Sequence, residues 1–342
     1  MKTFGLDIGA TSMKVVWLEK NKGVTSLKAC LTTVTPAKGM FSESAIDQEA
    51  MAQAIQQLIV DSKITVRNVN LALPENQVFT KVIEMPVLSD KELSSAIYWE
   101  AEQHIPAQLS TLTLDYKVLR RGSMSEISPK MQVLLVGAPT NLVRRYQTII
   151  EMTGLSINAI ETEIISVIRS LVPEESDKVL LIVNIGALST SLAIIQNSTI
   201  VFTYTIPLGG LAMDRAIASN FGFALTQAEE YKKTYGLNDQ NLGGKISLAL
   251  FPILEAMLTE VKKALAYYAE KYKNDSPISQ IIISGGSSLL PGLALYFAKN
   301  CGIETVIGNP FKVRSISGVP DILMEQGPRF TVAVGLALRE ND

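Results

Sequence analysis

Phe4-Gly5-Leu6-Asp7-Ile8-Gly9-Ala10-Thr11-Ser12-Met13-Lys14-Val15-Val16-Trp17 decides how the rest of the chain is read. Apolar strand formers stand on both sides of a short, glycine-centred polar turn, the pattern of a β-hairpin. The turn gathers an acid, a glycine, two hydroxyls and a lysine. Backbone N–H groups in such a turn can cradle phosphate oxygens. Thr11 and Ser12 can add donors, Lys14 a positive charge, and Asp7 an anchor for hydrated Mg²⁺. Taken alone the motif is common, because many Asp-x-Gly turns are purely structural.

The layout recurs in Leu181-Ile182-Val183-Asn184-Ile185-Gly186-Ala187-Leu188-Ser189-Thr190-Ser191-Leu192-Ala193-Ile194. Ile-Gly-Ala returns in register, with a serine two residues after the alanine. Two such hairpins half a chain apart suggest a duplicated α/β domain with a ligand held between the turns.

Composition bounds the function. The 342 residues are 47% hydrophobic and 19% charged, with a net charge of −2. That supports a sizeable core in two or three domains and argues against nucleic acid as the main partner. No signal segment opens the chain, since Asp7 and Lys14 interrupt its first apolar stretch. The longest apolar run, 179–195, is broken by Asn184, Gly186 and hydroxyl residues, so no spanning helix is expected. Cys30 and Cys301 are read as reduced thiols of a cytoplasmic protein. His104 is the sole histidine. It excludes multi-histidine zinc sites and is read as structural.

Along the chain, 28–34 is predicted as a third strand and 49–61 as a helix. Val69-Asn70-Leu71-Ala72-Leu73 is predicted as a strand ending at Pro74. Residues 79–171 change style. A half-exposed strand at 79–86 precedes a helix opened by the capping box Ser89/Glu92 and running to about His104. Two further strands flank a polar turn at 121–130, and a helix over 141–153 ends at Gly154. This β-α-β-β-α-β unit is predicted as one inserted recognition domain carrying no phosphate turn. After the second hairpin, Gly209-Gly210 opens a helix, and its local pattern fits equally a plain turn before a helix or free N–H groups facing a ligand. Thr226 is expected to cap a helix over 227–235 that carries Glu229 and Lys232. The longest helix is expected over 253–272. Ile281-Ile282-Ile283-Ser284-Gly285-Gly286-Ser287 is a buried strand entering a glycine turn, the place where open α/β sheets bind ligands.

This ordered set, closed by Ala333-x-Gly335-Leu336-Ala337, resembles the actin-like ATPase superfamily of actin, Hsp70 chaperones and sugar kinases. The insert resembles the subdomain of the cell-division protein FtsA. The details resemble the PilM family of type IV pilus assembly proteins: Gly5-Leu6-Asp7-Ile8-Gly9-x-x-Ser12-x-Lys14, the helix Tyr98-Trp99-Glu100-Ala101-Glu102-Gln103-His104, and the closing Ala-x-Gly-Leu-Ala-Leu-Arg. FtsA ends in an amphipathic membrane helix, and no such segment follows Arg339, which favours PilM.

The resemblance implies an actin-like duplicated fold. Its first half would occupy 1–78, a partner-binding insert 79–171, and the second half 172–342. A subdomain at about 220–275 and a return to the first half at about 327–342 are also implied. It implies ATP held by Gly9, Ala10, Thr11, Ser12 and Lys14 on one side and Gly186, Ala187, Ser189 and Thr190 on the other. Gly209 and Gly210 would line the phosphate end and Glu229 and Lys232 the adenosine. Gly285, Gly286 and Ser287 would line the base and ribose, and Asp7 would support Mg²⁺ through water. Asn184 departs from the family's usual Asp, so slow or negligible hydrolysis is expected. The implied partner is the cytoplasmic N-terminal tail of a PilN-like inner-membrane protein, with Phe79, Val82, Met85 and Trp99 as the expected contacts. Localisation would then be cytoplasmic, peripheral at the inner membrane through that partner, with self-association left open. A small-molecule kinase and an FtsA-like filament protein are the alternatives.

Overall fold

A computed structural model describes residues 2–122, 129–173, 175–238 and 242–339. The chain opens with β1 (Thr3–Ile8), β2 (Ser12–Asn21) and β3 (Val24–Val34), an antiparallel meander. Helix α1 (Ala45–Ser62) crosses over to β4 (Asn68–Leu73), which pairs parallel with β1. Next come β5 (Phe79–Pro86), α2 (Asp90–His104), β6 (Leu112–Arg121) and β7 (Lys130–Pro139), then α3 (Thr140–Met152), β8 (Ser156–Thr162) and α4 (Glu163–Leu171).

The second half repeats the first. Strands β9 (Leu180–Ile185), β10 (Thr190–Gln196) and β11 (Thr199–Ile206) form the same meander. Helices α5 (Gly210–Phe221), α6 (Leu225–Tyr235) and α7 (Lys245–Lys271) lead to β12 (Gln280–Ser284), and α8 (Leu293–Cys301) leads to β13 (Glu304–Ile307). The strand orders are β3-β2-β1-β4-β8 and β11-β10-β9-β12-β13, position for position the same arrangement. The central strands β1 and β9 are buried along their whole length, in keeping with mostly apolar sequences that turn polar only near their carboxyl ends at Asp7 and Asn184.

Short helices α9 (Pro310–Val313) and α10 (Asp321–Glu325) precede α11 (Thr331–Ala337), which returns to the first half. The contact is at backbone distance: a Cβ on Gly5 would lie 2.2 Å from the Ala333 carbonyl oxygen. Asn70 Nδ2 donates to the Leu336 carbonyl at 2.9 Å, so one buried amide stitches β4 to this helix.

Residues 79–139 form a separate three-stranded antiparallel sheet, β5-β7-β6, with α2 on one face. The capping box is present: the Ser89 N–H donates to Glu92 Oε2 at 2.9 Å, and the Glu92 N–H donates to Ser89 Oγ at 3.4 Å. The insert is shorter than the predicted 79–171. Leu142, Tyr146, Ile149 and Ile150 of α3 pack with Met51 and Ile55 of α1, and β8 extends the first sheet parallel to β4. The apolar stripe of α3 finds its cover on the first sheet, so helix and strand leave the insert. The polar turn predicted over 121–130 lies mostly outside the described residues.

Two helix starts also differ from expectation. Helix α7 begins at Lys245, with Pro252 inside it, because Ile246, Ala249 and Leu250 continue the buried stripe and outweigh the one lost hydrogen bond. Helix α6 begins at Leu225 without side-chain capping by Thr226. Among the described residues no helix is long and apolar enough to cross a membrane, and Cys30 and Cys301 are free thiols.

Candidate functional site: a cleft between matched hairpins

The carboxyl ends of β1, β4, β8, β9 and β12 converge on one cleft of about 480 Å³. Ligand sites in open α/β sheets lie there because the strands stop and their turns leave polar backbone groups facing a crevice. The two hairpin turns are geometric copies. The Gly9 N–H donates to the Ser12 carbonyl at 3.1 Å, and the Gly186 N–H to the Ser189 carbonyl at 2.9 Å. Both glycines are close to the turn backbone: a Cβ would lie 2.9 Å from the Ser12 oxygen and 3.1 Å from the Ser189 oxygen.

Their chemistry differs. In the first hairpin Asp7 and Lys14 are cross-strand partners, and Lys14 Nζ donates to Asp7 Oδ2 at 3.0 Å, both side chains buried. In the second, the equivalent pair is Asn184 and Ser191, and Asn184 Oδ1 accepts from Ser284 Oγ at 3.0 Å. Of the two hairpins, only the first therefore carries charged side chains at these paired positions.

Asp7, Gly9, Ala10, Thr11, Ser12, Lys14, Asn184, Gly186, Ala187, Ser189, Gly210, Glu229, Lys232, Gly285, Gly286 and Ser287 all line this cleft. Thr190 and Gly209 do not. Thr190 Oγ1 is buried and donates to the Leu208 carbonyl at 2.8 Å. A Cβ on Gly209 would lie 2.6 Å from the Gly186 oxygen. The N–H groups at the start of α5, free in one of the two readings, are used: Gly210 donates to Gly186 and Leu211 to Ala187, each at 2.9 Å. These glycines let the helix dock against the second turn.

Lys232 and Glu229 do not pair with each other. Lys232 Nζ reaches Asp214 Oδ1 at 2.7 Å and the Gly210 carbonyl at 3.1 Å, and Glu229 pairs with Lys233 at 2.7 Å. Burial pushes the Asp214 carboxyl up, and Lys232 only partly offsets it. Burial also works against Glu229, yet Lys233, Lys232 and Arg329 hold its carboxyl below the usual range.

Sequence reasoning missed Glu163, Asp214 and Arg329 in the cleft wall. Glu163 is the first residue of α4. Its carboxyl is pushed up to about 8, first by burial, then by Asp7 and Glu75, with Lys14 opposing. Glu75 is buried beside it and accepts from the Ile164 N–H at 3.0 Å, which fixes the start of α4. The available signal was Thr162-Glu163 between a strand and a helix, hidden by assigning that stretch to the insert.

A second, larger cavity of about 1660 Å³ lies between the insert and the first half. Its walls include Thr113, Asp115, Tyr116 and Lys117 of β6, Leu134 and Val136 of β7, Ile165 of α4 and Leu338. Phe79, Val82, Met85 and Trp99 are not in it. Phe79 and Met85 face the insert's own core, and Val82 packs toward the second half, where Lys271 pairs with Glu84 at 2.9 Å. The outer side of β5 lies against β11, with Thr203 Oγ1 donating to the Thr80 carbonyl at 2.8 Å, so β6 is the accessible edge. Trp99 is 68% exposed on α2.

The duplicated sheets and the cleft between their hairpins define an actin-like fold. The comparisons agree. The chain is similar to MreB 5 of Spiroplasma citri bound to AMPPNP, with TM-score 0.55, 14% identity, and coverage of 97% of this chain and 94% of that one. FtsA of Streptococcus pneumoniae is 23% identical over 90% of this chain and 76% of its own length. A solved PilM–PilN type IV pilus biogenesis complex matches with TM-score 0.84 and 29% identity, covering 99% of this chain and 98% of that one. The family model described as type IV pilus assembly protein PilM matches residues 5–341, and the chain belongs to that family.

Proposed function

We propose that the chain is a nucleotide-binding component of type IV pilus assembly. It binds ATP with Mg²⁺ in the cleft, turns it over slowly if at all, and carries the cytoplasmic tail of a PilN-like inner-membrane protein. The observation that supports this best is the pair of matched glycine turns lining one cleft at the strands' carboxyl ends. The volume is in the range of nucleotide-sized pockets.

The residues fit the ligand. Turn backbone at Gly9–Ser12 and Gly186–Ser189 would hold phosphates, and Lys14 would neutralise them. Asp7 would hold hydrated Mg²⁺, whose charge would offset the repulsion that Asp7 and Glu75 add to the larger effect of burial on Glu163. Bound Mg²⁺ supplies charge neutralisation at the phosphates. Asn184 supplies no second carboxylate to orient water, which favours a binding state over turnover.

For the tail, the groove beside β6 replaces the β5 and Trp99 surface as the proposed contact. An extended apolar tail suits a cavity with a free strand edge and apolar side chains at its base. Anchoring through such a tail would keep the chain cytoplasmic and peripheral at the inner membrane, with residues 79–139 as the partner-facing unit.

Calorimetry with ATP and Mg²⁺, then with a synthetic PilN-like tail peptide, tests both parts. Saturable binding of each is expected, with Tyr116→Ala weakening the peptide and Trp99→Ala leaving it unchanged. Absence of nucleotide binding would overturn the cleft assignment. Peptide binding lost in Trp99→Ala but not in Tyr116→Ala would overturn the groove assignment.

A further inference from the structure

The cleft and the groove are built on the same two helices. At the junction of β8 and α4, Glu161, Thr162, Ile165 and Arg169 line the groove, while Glu163 lines the cleft. On the other side, Thr331 and Val332 of α11 line the cleft, while Ala337, Leu338 and Arg339 line the groove. The first residue of α4 therefore enters the cleft between groove-lining neighbours, and the segment from Thr331 to Arg339 presents one end to each cavity.

The pair is packed too tightly for its members to move independently. A Cβ on Gly335 would sit 1.9 Å from the Ser166 carbonyl oxygen, and Ser166 Oγ donates to the Val332 carbonyl at 2.6 Å. Close-packed interiors transmit displacement instead of absorbing it.

The groove end is pinned by one buried carboxylate. Glu161 accepts two hydrogen bonds from Arg169, at 2.6 and 2.7 Å, and a third from Arg339 at 2.6 Å. Arg169 Nη1 also donates to the Gly335 carbonyl at 2.8 Å, tying α4 to α11. Bidentate guanidinium–carboxylate pairs fix orientation as well as distance. Two residues beyond that clamp, Glu163 enters the cleft.

We propose that the groove and the cleft are thermodynamically coupled through the α4–α11 pair, with Arg169 and Arg339 as positioning residues. Filling one cavity shifts the pair, changes where Glu163 and Thr331 stand, and so changes affinity at the other. The coupling is reciprocal by necessity. It rests on the nucleotide reading of the cleft, and it assigns that site its regulation.

Amide hydrogen exchange on the full chain, with and without AMPPNP and Mg²⁺, tests it. Strand β6 lines the groove and not the cleft, so it is the reporter. Saturating nucleotide is expected to change β6 exchange by about fivefold or more, the lower end of usual site-to-site coupling. In an Arg169→Met/Arg339→Met variant that calorimetry shows to be saturated with nucleotide, the β6 response is expected to vanish. Arg339→Lys is expected to restore part of it. If the double variant does not fold, Arg339→Met alone carries the test, because Arg169 still covers Glu161. Exchange changes confined to the two hairpins at saturation would overturn the coupling. A full β6 response in the charge-removed variant would overturn the role of the clamp. No calorimetric binding of AMPPNP would overturn the nucleotide reading and the coupling together, whereas binding with a silent β6 overturns the coupling alone.

Discussion

Lys14 Nζ lies 3.0 Å from Asp7 Oδ2, and the two close the first hairpin as directly opposed cross-strand residues. The ammonium also opposes the negative crowding at Glu163. Removing it would leave Asp7 as an uncompensated buried charge, which costs about 3 kcal/mol or more. Lys14→Met is therefore expected to lower both stability and ATP affinity, the latter by about tenfold or more. Adding Asp7→Asn should restore much of the stability but not the affinity. Thermal melting beside calorimetry separates the two effects, and recovery of affinity in the double variant would argue against a phosphate role for Lys14.

Asn184 stands opposite Ser191 as Asp7 stands opposite Lys14, and its amide oxygen is already engaged by Ser284. Asn184→Asp gives the second hairpin a carboxylate where the first has Asp7, without changing the side chain's shape. The expected outcome is a faster steady-state release of phosphate from ATP in the presence of Mg²⁺. A rate equal to or below that of the parent chain would remove Asn184 from the argument for the proposed slow turnover.

Glu163 gives a pH dependence with a definite sign. Its folded-state carboxyl is raised to about 8, above the usual 4.5 of a free glutamate, so the folded form holds a proton that the unfolded form releases. Its contribution is neutral below the unfolded value and becomes a growing penalty as pH rises to about 8, where it levels off. Glu163→Gln removes the penalty. The melting-temperature difference between variant and parent should grow between about pH 4.5 and 8, reaching the equivalent of about 2 kcal/mol after allowance for solvent screening. A difference that is flat with pH would mean the carboxyl ionises normally in the fold.

Glycines in the two settings should behave oppositely. Gly335→Ala forces a Cβ against the Ser166 backbone, and with neither helix free to retreat it should cost about 3 kcal/mol or more. At Gly286 a Cβ meets nothing within 4 Å and the backbone is not left-handed. Gly286→Ala is expected to leave stability within about 0.5 kcal/mol while weakening nucleotide binding from the cleft wall. Melting curves and calorimetry on the two variants check both statements.

The hairpins, the strand-to-glycine turn at Ser284–Gly286 and the Ser89 capping box were legible because each is a local pattern: alternation, a turn residue, a cap. The boundary of the insert was not. Helix α3 carries an apolar stripe that would suit either sheet, and only the parallel pairing of β8 with β4 decides which one it covers. That error also hid Glu163, whose neighbours Asp7 and Glu75 lie far from it in sequence and meet it only in the fold. The covering of β5 by the second half was hidden for a similar reason. The pattern of β5 showed a half-exposed strand, and the side chains of the second half that cover it cannot be read from its own residues. Gly209 and Thr190 were assigned to the ligand because packing glycines and buried hydroxyls resemble phosphate-binding ones until their partners are known.

The walls of the groove bring together Lys2 and Thr3, residues of β6, and residues as late as Arg339. A chain still on the ribosome thus exposes β6 long before the part of the wall built from Arg314, Leu338 and Arg339 exists. Binding in this cavity becomes available only after almost all of the described polypeptide has been made and has docked upon itself. Recruitment to a membrane through this groove would follow synthesis, and a truncated or misassembled copy would be left behind.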